Sequence, residues 1–164
     1  IETLNKIYKR DLNVVFTGVN YGNLDYIQKK VLEKGLQDKV FFLGHVPNDE
    51  VPFLYTQSIA LVMPTYFGAT NIPPLEAFYL NVPVLHSDLP IFSEQIGNRA
   101  LLFDLKKPET LALQLIKVLD NQDEVKDVVE RGYEYVQSWT EDNVWERLVS
   151  IFESYSYKLK CWKS

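Results

Sequence analysis

The sequence has a single cysteine, Cys161, among its 164 residues, which excludes an internal disulfide framework and a multi-cysteine zinc site. Seven glycines and eight prolines are too few for a disordered or collagen-like polymer. No apolar run approaches the roughly 20 residues that a membrane-spanning helix needs, and no signal peptide is recognisable at the start. These absences favour a folded domain in a reducing, cytoplasmic environment.

An excess of basic residues is also missing. Seventeen Lys and Arg stand against 22 Asp and Glu, a formal net charge of −5, which disfavours general nucleic-acid binding. A local phosphate site is still compatible with this charge, because backbone amides and helix N-termini bind anions without basic side chains. Two histidines and one distant cysteine have no metal-ligand spacing, so no metal site is predicted. The 46% apolar content suits the core of one domain.

Short apolar runs alternate with helical patterns along the chain. The runs are continuous rather than alternating, which is typical of parallel strands covered on both faces. They lie at residues 13–17, 40–43, 59–63, 82–85 and 100–103. Asn23 is expected to cap one helix and Asn48 or Asp49 another, and Pro108 stands in the first turn of a third. The sequence thus predicts a doubly wound, mainly parallel, Rossmann-like α/β sheet with helices on both faces.

The loop after the third predicted strand is the most unusual stretch. Ligands of such sheets bind at the carboxyl ends of the strands, where this loop is expected to lie. Thr70 or Asn71 can cap a helix that begins with the proline pair at 73–74. Gly68 and Ala69 leave the approach to that helix end open. Free amides and the positive end of the helix dipole therefore predict a phosphate site here.

Glu76 follows in what the pattern predicts to be the first turn of the same helix. A carboxylate there complements the helix dipole. As a hydrogen-bond acceptor it could equally grip the two vicinal hydroxyls of a ribose. Composition and spacing leave both interpretations open.

This region also carries a family resemblance. Residues 72–77, followed by 82–84 and 87–90, resemble the donor half of retaining glycosyltransferases of family four, which have the GT-B fold. Residues 15–18 and 40–46 are similar to neighbouring strands and turns of that family, in the family's order. The resemblance covers residues 12 to 120 closely and the C-terminal helices more loosely.

The resemblance implies binding of a nucleotide-diphosphate sugar. Glu76 matches the second of two family glutamates that are separated by seven residues, and its implied role is hydrogen bonding to the ribose. The first glutamate is replaced by Gly68, so loop groups are expected to take over sugar and phosphate contacts. A family turn beside the nucleotide base corresponds to residues 44–46. The predicted donor site comprises Glu76 with Gly68, Ala69, Thr70, Asn71, Ile72, Gly44, His45 and Val46.

The resemblance implies one half of a two-domain enzyme. Residues 1–164 are interpreted as its nucleotide-sugar-binding domain, ending in two C-terminal helices from about residue 122. The family's first strand of this domain, its phosphate-gripping Arg and Lys and its N-terminal acceptor domain have no counterpart in the sequence. The family's catalytic histidine comes from the acceptor domain, so no catalytic residue is assigned. No metal or other cofactor is implied, since the nucleotide-diphosphate sugar is a co-substrate.

The leading hypothesis is transfer of a sugar from the nucleotide donor to a growing glycan, as in surface polysaccharide synthesis. Alternatives are a nucleotide-sugar epimerase of the same fold and a non-catalytic nucleotide-binding module. The tail at 155–163 mixes aromatic rings with lysines. It is expected to dock on the absent acceptor domain, with contact to an anionic membrane surface as the alternative. The expected location is accordingly cytoplasmic, either free or peripheral at the inner face of the membrane.

Overall fold

A computed structural model describes residues 2, 4, 8–68 and 70–162, without the side chains of 156, 157 and 159–162. The strands are β1 (Val14–Thr17), β2 (Val40–Gly44), β3 (Leu61–Met63), β4 (Val84–Ser87) and β5 (Leu101–Phe103). The helices are α1 (Leu24–Glu33), α2 (Val51–Gln57), α3 (Ile72–Tyr79), α4 (Pro108–Leu119), α5 (Asp123–Gln137) and α6 (Glu141–Trp162). A short 3₁₀ helix spans Pro90–Phe92.

All the strand pairs are parallel. β1 pairs with β2, and β4 lies between β3 and β5 in a second sheet. In the second sheet His86 lies opposite Met63 on one side and Leu102 on the other. The predicted mainly parallel α/β fold is confirmed, although the strands that the structure describes form two sheets rather than one.

The core is built on both faces of β4, whose four residues are all buried. Val84 on one face packs in a cluster with Ala77 and Phe78 of α3. Leu85 on the other face packs with Val125 and with residues of α4. Because strand side chains alternate between faces, both faces of this central strand need helices, as predicted.

Helix α5 approaches α3 closely at Gly132. A Cβ on this glycine would lie 2.6 Å from Cδ1 of Phe78, so the ring or the helix would have to shift. The absence of a side chain at Gly132 therefore lets the Phe78 ring, only 2% exposed, fill the space between the two helices. This packing anchors α3, the helix on which the candidate site is built.

The β1–β2 sheet contributes little to the core. Helix α1 has no buried residue, and Val15 and Phe16 of β1 remain 47% and 41% exposed. A two-stranded sheet on its own buries too little surface to be independently stable. Most of the buried core of the described residues therefore lies in the three-stranded sheet with α3, α4 and α5.

The helices start close to the predicted positions, but the predicted capping residues of α2 do not cap it. Pro108 opens α4 as expected. Neither Asn48 nor Asp49 caps α2, which starts after Glu50 instead. There the carbonyl of Pro47 accepts the amides of both Glu50 and Val51, so a main-chain turn replaces the expected side-chain cap.

Candidate functional site

Helix α3 begins at the carboxyl end of β3, as the proline pair predicts. Asn71 occupies the N-cap position in an extended conformation, and Ile72 is the first helical residue. Buried Pro74, Ala77 and Phe78 fix the helix to the core. The Asn71 side chain does not cap the helix, because its Nδ2 donates to the Gly68 carbonyl at 2.9 Å instead.

The loop is shaped around Gly68. This residue has φ +94°, a conformation that L-residues rarely adopt. A Cβ on it would lie 2.9 Å from Oδ1 of Asn71. The backbone at residue 68, which the resemblance aligns with the first family glutamate, thus favours glycine, while Ala69 lies outside the described residues.

A glutamine from a distant turn holds the residue before α3. Gln95 Oε1 accepts the Asn71 N–H at 2.8 Å, and Gln95 Nε2 donates to the Asn71 carbonyl at 2.6 Å. The Asn71 amide is therefore already bonded, and the prolines at 73 and 74 have no amide hydrogen. Of the three residues that open the helix, Ile72 alone can donate an N–H to a phosphate.

Glu76 is the fifth residue of α3, and the first turn holds no acidic residue. The prediction that Glu76 lies in the first turn is wrong, because the helix starts one residue before the proline pair. The interpretation that the Glu76 carboxylate complements the helix dipole is therefore weaker, because the dipole's effect falls off within one turn. The role of Glu76 as a hydrogen-bonding group thereby gains weight.

The Glu76 carboxylate is held by a phenol from α2. Tyr55 Oη donates to Glu76 Oε2 at 2.8 Å and lies 3.3 Å from the Pro73 carbonyl. Burial, and then the hydrogen bond to Glu76 and its charge, raise the pKa of Tyr55 well above its usual value of 10. The phenol therefore stays protonated and remains a donor, while the exposed Glu76 keeps acceptor capacity for a ligand.

A groove of about 660 Å³ runs beside this pair, between α2, α3 and the end of α5. Tyr55, Glu76, Tyr79 and Trp139 line it, and it reaches Asn48, which follows the predicted base-binding turn by two residues. Among the residues that line the groove, Asn48 lies nearest in sequence to that turn. It does not include residues 44–46 or 68–72 in its lining.

The predicted base-binding turn closes β2. Gly44 has φ +67°, and its carbonyl accepts the Gly18 amide at 2.8 Å. His45 is exposed and Val46 is half-buried. These residues stand at the carboxyl end of β2, where the fold puts ligands, and their contact with a base stays a prediction.

The end of β4 is hydrogen-bonded to the loop that follows β3. Ser87, buried, donates its Oγ proton to the Thr65 carbonyl at 2.6 Å. The neighbouring His86 is 0% exposed. Burial lowers the pKa of His86, against the raising effect of the Ser87 backbone carbonyl. Its Nε2 has no hydrogen-bond partner among the described residues.

Sequence reasoning did not assign roles to Tyr55, Ser87 or Gln95. Tyr55 reads as one more apolar residue of an amphipathic helix, and Ser87 as one polar residue in a strand-end loop. Gln95 offers one weak signal, a polar residue beside the buried Ile96. Contacts between distant segments give these residues their roles, and no local pattern encodes them.

Metal ligation and membrane spanning are two further features that bear on function. Within the described part of the chain, no three His, Cys, Asp or Glu side chains come together as metal ligands would. No helix in the described ranges combines the length and apolar character needed to cross a membrane.

Sequence comparison finds related proteins. The family model for glycosyl transferases group 1 matches residues 1–135. The O-antigen chain mannosyltransferase RfbU of Salmonella typhimurium is 31% identical over 142 residues, which are 85% of this chain and 38% of that protein. The chain therefore spans less than half the length of this relative.

Solved structures show the same fold. Sucrose-phosphate synthase from Thermosynechococcus elongatus superposes with a TM-score of 0.68 at 20% identity, over 90% of this chain and 38% of the other. Anabaena Alr3699/HepE, solved in complex with UDP, has a TM-score of 0.72 at 16% identity, over 87% of this chain and 41% of the other. At these identities the likeness concerns the fold alone.

Proposed function

The chain belongs to the group 1 glycosyl transferases, and we propose that it is the donor-binding half of a retaining glycosyltransferase that uses a nucleotide-diphosphate sugar. One observation carries the proposal: a carboxylate, Glu76, is oriented by Tyr55 at 2.8 Å beside a groove whose lining also includes Asn48. This arrangement offers hydrogen-bond acceptors to a ribose, and we place the base toward residues 44–46.

In this proposal Glu76 accepts hydrogen bonds from the two ribose hydroxyls. The diphosphate approaches the start of α3, where Ile72 has an N–H and where the helix dipole is positive. Negative charge grows on the departing diphosphate as the sugar is transferred, so donors at this helix end stabilise the transition state more than the ground state. The chemistry as proposed needs no metal ion and no cofactor beyond the nucleotide sugar.

The substrate is proposed from the relatives. RfbU is named as a mannosyltransferase of the O-antigen chain, which supports transfer of a hexose to a growing surface polysaccharide. The acceptor glycan would bind to a further domain of a longer protein. The exposed apolar residues of α6, among them Leu148, Ile151 and Phe152, offer a surface for that domain.

We place the proposed enzyme in the cytoplasm, where nucleotide sugars are available. Contact of the α6 tail with the inner face of the membrane is the alternative to its docking on the acceptor domain. Sedimentation of the chain with vesicles of anionic lipid separates these two. Binding that rises with anionic lipid content supports the membrane, and its absence supports the domain.

Calorimetric titration of UDP and GDP tests the donor site. We expect Glu76→Ala to weaken binding of the preferred nucleotide by at least about tenfold, since two hydrogen bonds to a charged group are lost. Glu109→Ala is the matched control, because Glu109 is an exposed glutamate in the first turn of α4. Equal affinity of Glu76→Ala and wild type for both nucleotides would overturn the ribose-binding role.

A further inference from the structure

We infer that Gln95 is a positioning residue of the donor site. Its carboxamide holds Asn71, the residue before α3, and thereby sets where the start of α3 stands relative to a bound diphosphate. The inference rests on the proposed donor-binding function. It assigns a role to a residue that touches no ligand and acts through the main chain of the loop.

The contact is double and complementary. The carboxamide oxygen of Gln95 accepts the Asn71 N–H at 2.8 Å, while its nitrogen donates to the Asn71 carbonyl at 2.6 Å. Two bonds to one residue fix both the position and the rotation of its peptide groups. Asn71 then carries the constraint onward, because its own Nδ2 bonds to the Gly68 carbonyl at 2.9 Å.

Gln95 is itself firmly held. It is 5% exposed, and the nearby Phe92 and Ile96 are each 1% exposed in the core cluster that includes α3. Arg99 lies with its guanidinium carbon 3.9 Å from the Tyr135 ring centroid, and it bonds to the Gln95 carbonyl at 3.4 Å. The carboxamide therefore projects from a rigid turn toward a loop that is otherwise mostly exposed.

Apolar packing alone would favour a different residue. The position is buried next to apolar side chains, where a hydrocarbon side chain costs less to desolvate than a carboxamide. A carboxamide is specified here only if its two hydrogen bonds are useful. Precise placement of the loop is such a use, because a ligand site tolerates displacement of only about 0.5 Å.

The position of the loop matters more because few backbone N–H groups at the start of α3 are available to a phosphate. Asn71 donates its N–H to Gln95, so that amide is not offered to the ligand, and Ile72 provides the N–H that opens α3. With so few donors, small movements of this one amide change the contact with phosphate strongly. Loss of Gln95 makes the Asn71 N–H available to a ligand, but it also leaves the Ile72 N–H less firmly positioned. We expect the loss of positioning to have the larger effect on nucleotide binding.

The test compares two glutamines. Gln95→Met removes both bonds to Asn71 while preserving the length and volume of the side chain. Gln114→Met is the matched control, because Gln114 likewise uses Nε2 to bond a main-chain carbonyl, that of Leu102 at 2.8 Å, away from the loop. The chain is titrated with UDP and GDP at a temperature at which both variants are shown to be folded by circular dichroism.

We expect Gln95→Met to weaken nucleotide binding about tenfold and Gln114→Met to leave it within about twofold of wild type. Amide hydrogen exchange at Asn71 should accelerate in Gln95→Met alone. If Gln95→Met does not fold, Gln95→Glu replaces it. That variant keeps an acceptor for the Asn71 N–H and loses the donor to its carbonyl, and binding should again weaken.

Each outcome decides. If Glu76→Ala loses affinity while the Gln95 variant binds like wild type, the positioning role is overturned and the donor site stands. If Gln95→Met and Gln114→Met lose affinity equally, Gln95 is merely structural. If neither Glu76→Ala nor the Gln95 variant differs from wild type, the proposed function itself falls and the positioning role falls with it.

Discussion

The phenol of Tyr55 donates a hydrogen bond of 2.8 Å to Glu76 Oε2 and thereby joins α2 to α3. The carboxylate is exposed, and an exposed glutamate without a partner samples several rotamers. The phenol removes that freedom before any ligand arrives. A site organised in this way binds more tightly because less side-chain entropy is lost on binding.

Tyr55→Phe is therefore expected to weaken nucleotide binding several-fold while the free energy of unfolding falls by only about 0.5–1.5 kcal/mol. Calorimetric titration and urea unfolding measure the two effects separately. Tyr79→Phe is the control, since Tyr79 also lines the groove but is 62% exposed. Unchanged affinity in Tyr55→Phe would show that Glu76 needs no phenol to orient it.

Gly68→Glu restores the carboxylate of the family pattern and is expected to harm the site. The backbone at φ +94° opposes any side chain, and so does Asn71, whose Oδ1 would lie 2.9 Å from the added Cβ. We expect Gly68→Glu and Gly68→Ala to lose about 1–3 kcal/mol of stability alike. Urea unfolding of both variants checks this. A gain in nucleotide affinity in Gly68→Glu would contradict a loop built for glycine.

Gly132→Ala tests the packing that anchors α3. Alanine has the higher helix propensity by about 1 kcal/mol, yet its Cβ would lie 2.6 Å from the Phe78 ring. We expect a net loss of about 1–3 kcal/mol in thermal or urea unfolding. Combining it with Phe78→Leu should recover part of that loss, as a double-mutant cycle will show. A stabilised Gly132→Ala would mean that the two helices adjust freely.

Buried His86 should make stability depend on pH. Burial lowers its pKa below the ordinary value of 6.5 in the folded chain, so the unfolded chain binds the extra proton more readily. The stabilisation is complete above about pH 6.5 and is lost as the pH falls from there through the folded pKa.

Urea unfolding at pH 7.5, 6.5 and 5.5 measures this loss. We expect His86→Leu to lose less stability on acidification than wild type does, since other titrating groups are common to both proteins. His45→Leu is the control, because His45 is the other histidine of the chain and lies exposed at the end of β2. Equal slopes for His86→Leu and wild type would show that His86 does not contribute.

Local patterns were sufficient for much of the architecture. Continuous apolar runs such as 82–85 indicate parallel strands because a strand covered on both faces must be apolar throughout. The proline pair at 73–74 indicates a helix start because proline costs nothing there. These positions together with the family resemblance predict a donor site around Glu76 and Asn71.

Contacts across the sequence were beyond local patterns. The predicted capping by Asn48 or Asp49 is wrong, because the Pro47 carbonyl accepts the amides at the start of α2. The predicted place of Glu76 in the first turn is also wrong, because α3 starts at Ile72. The division into two sheets depends on which strands hydrogen-bond to one another, and local patterns do not encode this pairing. Periodicity reports the face that a residue presents, and it carries no information on the partner it meets.

The sequence by itself determined the strands, the helices, the glycine at 68 and the presence of a carboxylate at 76. Only the tertiary structure decided which side chains hydrogen-bond to Glu76 and to the loop before α3. Tyr55 reaches Glu76 across 21 positions, and Gln95 reaches Asn71 across 24. Such bonds form because the buried β4 brings the surrounding helices and turns together, so their geometry is set by packing of the whole core.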